Sequence, residues 1–157
     1  MKFEESFTVT SSASEVWAFL EDVNRIARCV PGVEDVEPLD DGRSRVRMTQ
    51  KVGYLSATFD LRTHVSASEP GKFVEVVSVG RSVKGAMGEL RSTNRVEIEP
   101  AGEDATNVRL AAEVAVGGML GSVGTKMMSL KAKQVAKEFA ATLEDQIQLF
   151  RKRQTTD

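Results

Sequence analysis

The end of the chain limits what the rest can fold into. Between about Met119 and Arg153, the residues Met128, Ala132, Val135, Ala136, Phe139, Leu143, Ile147 and Phe150 recur at helical spacing, which predicts one long helix with a single apolar stripe. A helix of that kind buries its stripe only against a second layer. The residues ahead of it must build that layer, and they read almost entirely as strands.

Residues 2–10 alternate, Phe3, Phe7 and Val9 against Glu4, Ser6 and Thr8, as a half-buried strand does. Ser12 followed three residues later by Glu15 is a capping box, ahead of Val16, Phe19 and Leu20 at helical spacing. Asp22 caps a second short helix over Val23 to Cys29, and Pro31-Gly32 ends it. Six further strands follow at about 33–40, 43–53, 54–69, 72–82, 86–99 and 105–116, punctuated by Asp40-Asp41-Gly42, Glu69-Pro70-Gly71 and Pro100-Ala101-Gly102. Within them Ala57, Phe59, Leu61, Val65 and Ala67 share one face, as do Val108, Leu110, Ala112, Val114 and Val116. Short turns between successive strands make an antiparallel meander.

The expected fold is therefore α+β. A seven-stranded curved antiparallel sheet wraps around the long C-terminal helix, with two short helices after strand one, in a single domain over residues 1–157. A space is expected between the helix and the concave face. Gln154 to Asp157 read as a frayed tail.

What the chain lacks narrows its chemistry. Its 21 Lys and Arg against 23 Asp and Glu give a formal charge of -2, whereas nucleic-acid binding needs a clustered basic excess. No nucleic-acid partner is expected. Cys29 and His64 are the single residues of their types, so neither an internal disulfide nor a nucleophile-base pair is available, and no metal or cofactor site is expected. Cys29 reads as a packing residue, His64 as a surface residue opposite the Phe59 face, and Trp17 as core. Gly117, Gly118, Gly121 and Gly124 match neither dinucleotide nor P-loop spacing and fit a tight strand-to-helix turn. Met1 to Thr10 lack the apolar run of a signal peptide, and no stretch approaches the roughly 20 apolar residues of a spanning helix. The expected location is the cytoplasm, at most peripherally on the inner face of a membrane.

The candidate site is the space under the helix. Met48, Phe59, Met87, Leu90, Met128, Phe139 and Leu143 are its expected apolar lining, because thioethers and aromatic rings adapt to irregular apolar ligands. Gln50, Ser92 and Asn94 fall on inward strand positions and supply neutral polar groups that orient a ligand without acid-base chemistry. A second stripe on the last helix, Leu120, Val123, Met127 and Leu130, is flanked by Lys126, Lys131, Lys133 and Lys137. It suits an anionic membrane or a partner protein, or else it is covered within the fold.

Several segments, in order and spacing, resemble the CoxG family of carbon monoxide dehydrogenase accessory proteins, within the START-like (SRPBCC) helix-grip superfamily. They are Ala13-Ser14-Glu15-Val16-Trp17 with Leu20, Cys29-Val30-Pro31-Gly32, Val52-Gly53, and the run Val116-Gly117-Gly118-Met119-Leu120-Gly121-Ser122-Val123-Gly124 leading into the last helix. The resemblance covers nearly the whole chain. It implies a non-catalytic accessory protein that binds a hydrophobic small molecule, a quinone or lipid, and helps couple a molybdenum-containing dehydrogenase to the membrane. Many members of the family continue past the long helix into a tail, whereas here Arg151-Lys152-Arg153 stands four residues from the end, so a transient peripheral contact is expected. The rival expectation is an enzyme resembling polyketide cyclases or dehydratases. That reading requires Glu75, Arg81 or Glu113 to be turned into the cavity by a bulge. A third is an interaction module with a collapsed cavity.

Overall fold

Ser12 caps the first helix as its spacing predicts: the Glu15 amide donates to Ser12 Oγ at 3.2 Å and the Ser12 amide donates to Glu15 Oε1 at 3.0 Å. Asp22 does the same for the second, accepting from the Asn24 amide at 2.9 Å. In the computed structural model, which describes residues 1–155, these two helices separate the first strand from the other six. The elements are β1 (Lys2–Val9), α1 (Ala13–Leu20), α2 (Val23–Arg28), β2 (Val33–Pro38), β3 (Ser44–Val52), β4 (Leu55–Glu69), β5 (Phe73–Gly85), β6 (Gly88–Pro100), β7 (Thr106–Gly117), α3 (Gly118–Gly121) and α4 (Thr125–Thr155). Of the tail expected at Gln154 to Asp157, the last two residues lie outside the described ones.

The sheet order is β1-β7-β6-β5-β4-β3-β2, antiparallel throughout. The chain thus leaves one edge of the curved sheet after β1 and re-enters at the opposite edge with β2. α1 and α2 make that crossing, while α4 lies in the concave face against β1. Met1 marks the contact, its Sδ 3.5 Å from Ser129 Oγ.

The long helix is interrupted where one continuous run was expected. Ser122 returns both its amide and its hydroxyl to the Met119 carbonyl, at 3.1 and 2.6 Å, which ends α3 after one turn. Gly124 then takes φ 106°, a conformation open to glycine, before α4 begins at Thr125. Leu120 consequently leaves the outer stripe and is buried, and Val123 is half-buried against the same cluster. β4 also departs from simple alternation. Its inner face is buried through Thr63, but Val65 and Ala67 flank a register shift and are exposed.

The apolar residues sort into two clusters under one helix. The first joins Val16, Phe19 and Leu20 of α1 to Val96, Val108 and Leu110 of the sheet and to Phe139, Leu143 and Ile147 of α4. Phe150 extends it, its ring 5.7 Å from Phe19 in an edge-to-face arrangement. The second joins Val46, Met48, Phe59 and Leu61 to Leu120 and Met128. Each fully buried Leu or Ile contributes roughly 1.5–3 kcal/mol of hydrophobic stabilisation.

Candidate functional site

A cavity of about 140 Å³ lies beneath the N-terminal half of α4. Side-chain size along the helix explains its place. Between Met128 and Phe139, α4 presents Lys131 and the small residues Ala132, Val135 and Ala136 to this region, whereas Leu143, Ile147 and Phe150 fill the region beyond Phe139. β3 through β7 provide the floor, the Ile26, Ala27 and Val30 side chains of the α2 segment close one side, and Leu120 belongs to the same wall. Apart from Gln50, Thr63, Ser78, Ser92, Asn94 and Lys131, every lining residue is apolar.

The neutral polar groups form a strip across the floor. Thr63 is registered opposite Ser78 and Ser78 opposite Ser92, on three adjacent strands. The Thr63 and Ser78 hydroxyls are 2.7 Å apart and satisfy one another. Ser92 and Asn94, two residues apart on the same face of β6, have no side-chain hydrogen-bond partner among the described residues. Their hydrogen-bonding capacity faces the cavity. Gln50 is differently placed, since its amide nitrogen donates to the Pro31 carbonyl at 2.7 Å and ties β3 to the segment entering β2.

Of the residues expected to line this space, the structure brings together Met48, Gln50, Phe59, Leu90, Ser92, Asn94, Met128 and Phe139. Two expectations are corrected. Met87 is 73% exposed, because it stands in the turn between β5 and β6 and at odd parity to the inward residues Leu90, Ser92 and Asn94. Leu143 is fully buried in the packed cluster with α1, one turn of helix past the cavity wall at Phe139. Lys131 is the residue that sequence reasoning placed elsewhere, on the outer rim. It falls three residues after Met128 and four before Val135, so its helical position already pointed inward.

The three residues that the cyclase expectation requires lie elsewhere. Glu75 accepts from Ser66 Oγ at 2.8 Å and faces Arg95 at 3.7 Å, while Arg81 and Glu113 are exposed, and none of the three lines the cavity. Cys29 is buried, donates through Sγ to the Arg25 carbonyl at 3.3 Å, and has its pKa pushed up to about 12 by that burial. Such a thiol is a poor nucleophile at neutral pH. His64 is exposed on the outer face, and among the described residues no group of three His, Cys, Asp or Glu is placed to hold a metal ion.

The surface stripe survives in part. Met127 and Leu130 are 43% and 62% exposed, and Lys126, Lys133 and Lys137 are exposed beside them. Tyr54, Val83, Met87 and Met119 join them at one end of the molecule. Three contacts assemble this end. The Ala86 amide donates to the Ser56 carbonyl at 2.8 Å, the Leu120 amide to the Met87 carbonyl at 3.1 Å, and Met127 Sδ lies over Gly53. Lys51, Lys84 and Lys126 are exposed near the same strand and helix ends, as is Glu89 at the start of β6. No helix among the described residues is long and apolar enough to cross a membrane.

Solved structures share this architecture across nearly the whole chain. A conserved protein from Geobacillus kaustophilus matches with a TM-score of 0.78 at 18% identity, covering 94% of this chain and 95% of its own. A START superfamily protein from Mycobacterium smegmatis matches with a TM-score of 0.60 at 17% identity, covering 94% and 97%. The Zhui aromatase/cyclase from Streptomyces sp. R1128 matches with a TM-score of 0.62 at 17% identity, covering 94% and 93%. Sequence comparison with curated proteins returns no match.

The class is thus a START-like helix-grip domain, a curved sheet closed over a long C-terminal helix. Within it, residues 6–148 match the CoxG family, described as the G subunit of carbon monoxide dehydrogenase, and the chain belongs to that family. Family and fold together suggest a protein that binds a hydrophobic ligand.

Proposed function

We propose that this chain is a non-catalytic accessory protein that holds a quinone or lipid under α4 and helps couple a molybdenum-containing dehydrogenase to the membrane. The observation that carries the reading is the cavity itself, apolar except for one polar strip, Gln50 and one lysine. Its volume of about 140 Å³ is close to that of an apolar cavity of roughly 150 Å³ that takes up benzene. A ring-sized head group fits that space. Ser92 and Asn94 supply open hydrogen bonds for a carbonyl oxygen on such a ring.

The exposed apolar residues at the Tyr54 and Met87 end, with Lys51, Lys84 and Lys126 exposed on the neighbouring strand and helix ends, support the membrane contact, since buried apolar area and lysines near an anionic surface act together. The cyclase reading, by contrast, requires Glu75, Arg81 or Glu113 to be turned inward, and none of the three lines the cavity. The deciding experiment is calorimetric titration of the purified protein with a short-chain quinone and a fatty acid, alongside mass spectrometry of a gentle solvent extract. Saturable binding that Ala136→Trp abolishes supports the carrier reading. No saturable binding of any probe, with an extract free of apolar molecules, overturns it.

A further inference from the structure

Lys131 is an odd occupant of its position. It lies on the inward side of α4 between Met128 and Val135, half-buried, and is the one ionisable residue lining the cavity. An ammonium beside apolar groups is costly unless it reaches water or meets an opposite charge. Its aliphatic stem covers apolar surface as the head reaches outward, yet Leu or Met would cover more at no electrostatic cost.

A protein carboxylate is the usual partner for such a lysine, and none is within ion-pair distance of Lys131 among the described residues. Phe3, Val114 and Met128 are among the apolar residues that line the cavity with it. The opposite floor offers Ser92 and Asn94 with unused hydrogen-bonding capacity. The site therefore has one positive pole, an apolar middle and a neutral polar floor.

We infer that the cavity selects an apolar acid, with the ligand's carboxylate at the Lys131 ammonium and its hydrocarbon body between Met128, Phe59 and Phe139. This rests on the reading that the cavity is the ligand site and adds the charge of the ligand to it. A cavity of about 140 Å³ admits either a substituted aromatic ring or the folded end of an alkyl chain. An aromatic carboxylate and a medium-chain fatty acid share the required chemistry. An oxygen substituent remote from the carboxylate reaches Ser92 or Asn94.

The test is titration of the full chain with matched pairs that differ only in charge: decanoate against decanol, and 4-hydroxybenzoate against 4-hydroxybenzamide. At neutral pH the acid of at least one pair binds tenfold or more tighter than its neutral partner, and the preference shrinks as salt rises. The pair that shows it identifies an alkyl or an aromatic acid. Lys131→Met removes the preference while leaving the neutral compound's affinity within about twofold, and Lys131→Arg restores it. Thermal unfolding of both variants shows that the fold is kept. Equal affinity for acid and neutral partners in the wild type, or a preference that survives in Lys131→Met, overturns the inference. Binding of a short-chain quinone, with neither acid preferred over its neutral partner, also overturns it and leaves the carrier reading standing, whereas failure of every probe sinks both.

Discussion

The two halves of α4 face the same sheet and are built to opposite ends. From Phe139 onward the helix carries Leu143, Ile147 and Phe150, and α1 rises to meet them with Val16, Phe19 and Leu20 in one packed cluster. Before Phe139 it carries Ala132, Val135 and Ala136, and the sheet opposite holds Ser78, Ser92 and Asn94. One amphipathic stripe can thus do two jobs when side-chain volume changes along it. Packing at one end holds the helix in place, and withheld volume at the other leaves a site.

Substitutions placed in pairs, one at each end, probe this contrast. The largest effect is expected for Leu143→Ala, which opens a void in the packed end and lowers unfolding free energy by about 2–5 kcal/mol in denaturant titrations. Met128→Ala should cost clearly less, because its site already borders empty space. Equal losses would mean the two ends are packed alike.

Cys29 tests the packed end through pH. Its buried thiol has a folded pKa near 12 against an ordinary value of 9.0, so the folded state keeps a proton that the unfolded state releases. Its contribution is fully present below about pH 9 and is lost as pH rises toward 12, at up to about 1.4 kcal/mol per pH unit. Cys29→Ala should lack that part of the alkaline decline. Parallel decline in both proteins would show a thiol in contact with water.

Ala136 and Ala140 are both buried, four residues apart on the same stripe. Ala140→Leu overpacks the filled end and should cost about 1–3 kcal/mol. Ala136→Leu grows into the cavity and should cost less than about 1 kcal/mol while weakening ligand binding more than tenfold. The smallest effect belongs to His64→Ala on the outer face, within about 0.5 kcal/mol and without change in binding.

Much of this was legible in the chain. The capping box at Ser12, the strand alternation and the stripe from Met128 to Phe150 are local patterns, and local geometry enforced them. Periodicity shows which way a residue points but not what stands opposite. Phe139 and Leu143 are therefore indistinguishable in sequence, although α1 covers one and the cavity adjoins the other. That depends on where α1 crosses, a long-range fact. Met87 was misplaced because the β5–β6 turn lacks the proline that marks the turns at Pro70 and Pro100, and one residue of error reverses inward and outward. Lys131 was hidden by its chemistry, since a lysine is read as surface even at an inward helical position.

The cavity also makes the fold sensitive to pressure. A void of about 140 Å³ in each molecule amounts to ~80 mL per mole if unfolding erased all of it, toward the upper end of the roughly 20–100 mL/mol by which proteins shrink on unfolding. Hydrostatic pressure therefore favours the unfolded chain most strongly while the space is empty. A bound molecule that fills it removes that shrinkage, so the pressure at which the protein unfolds is itself a gauge of whether the site is occupied.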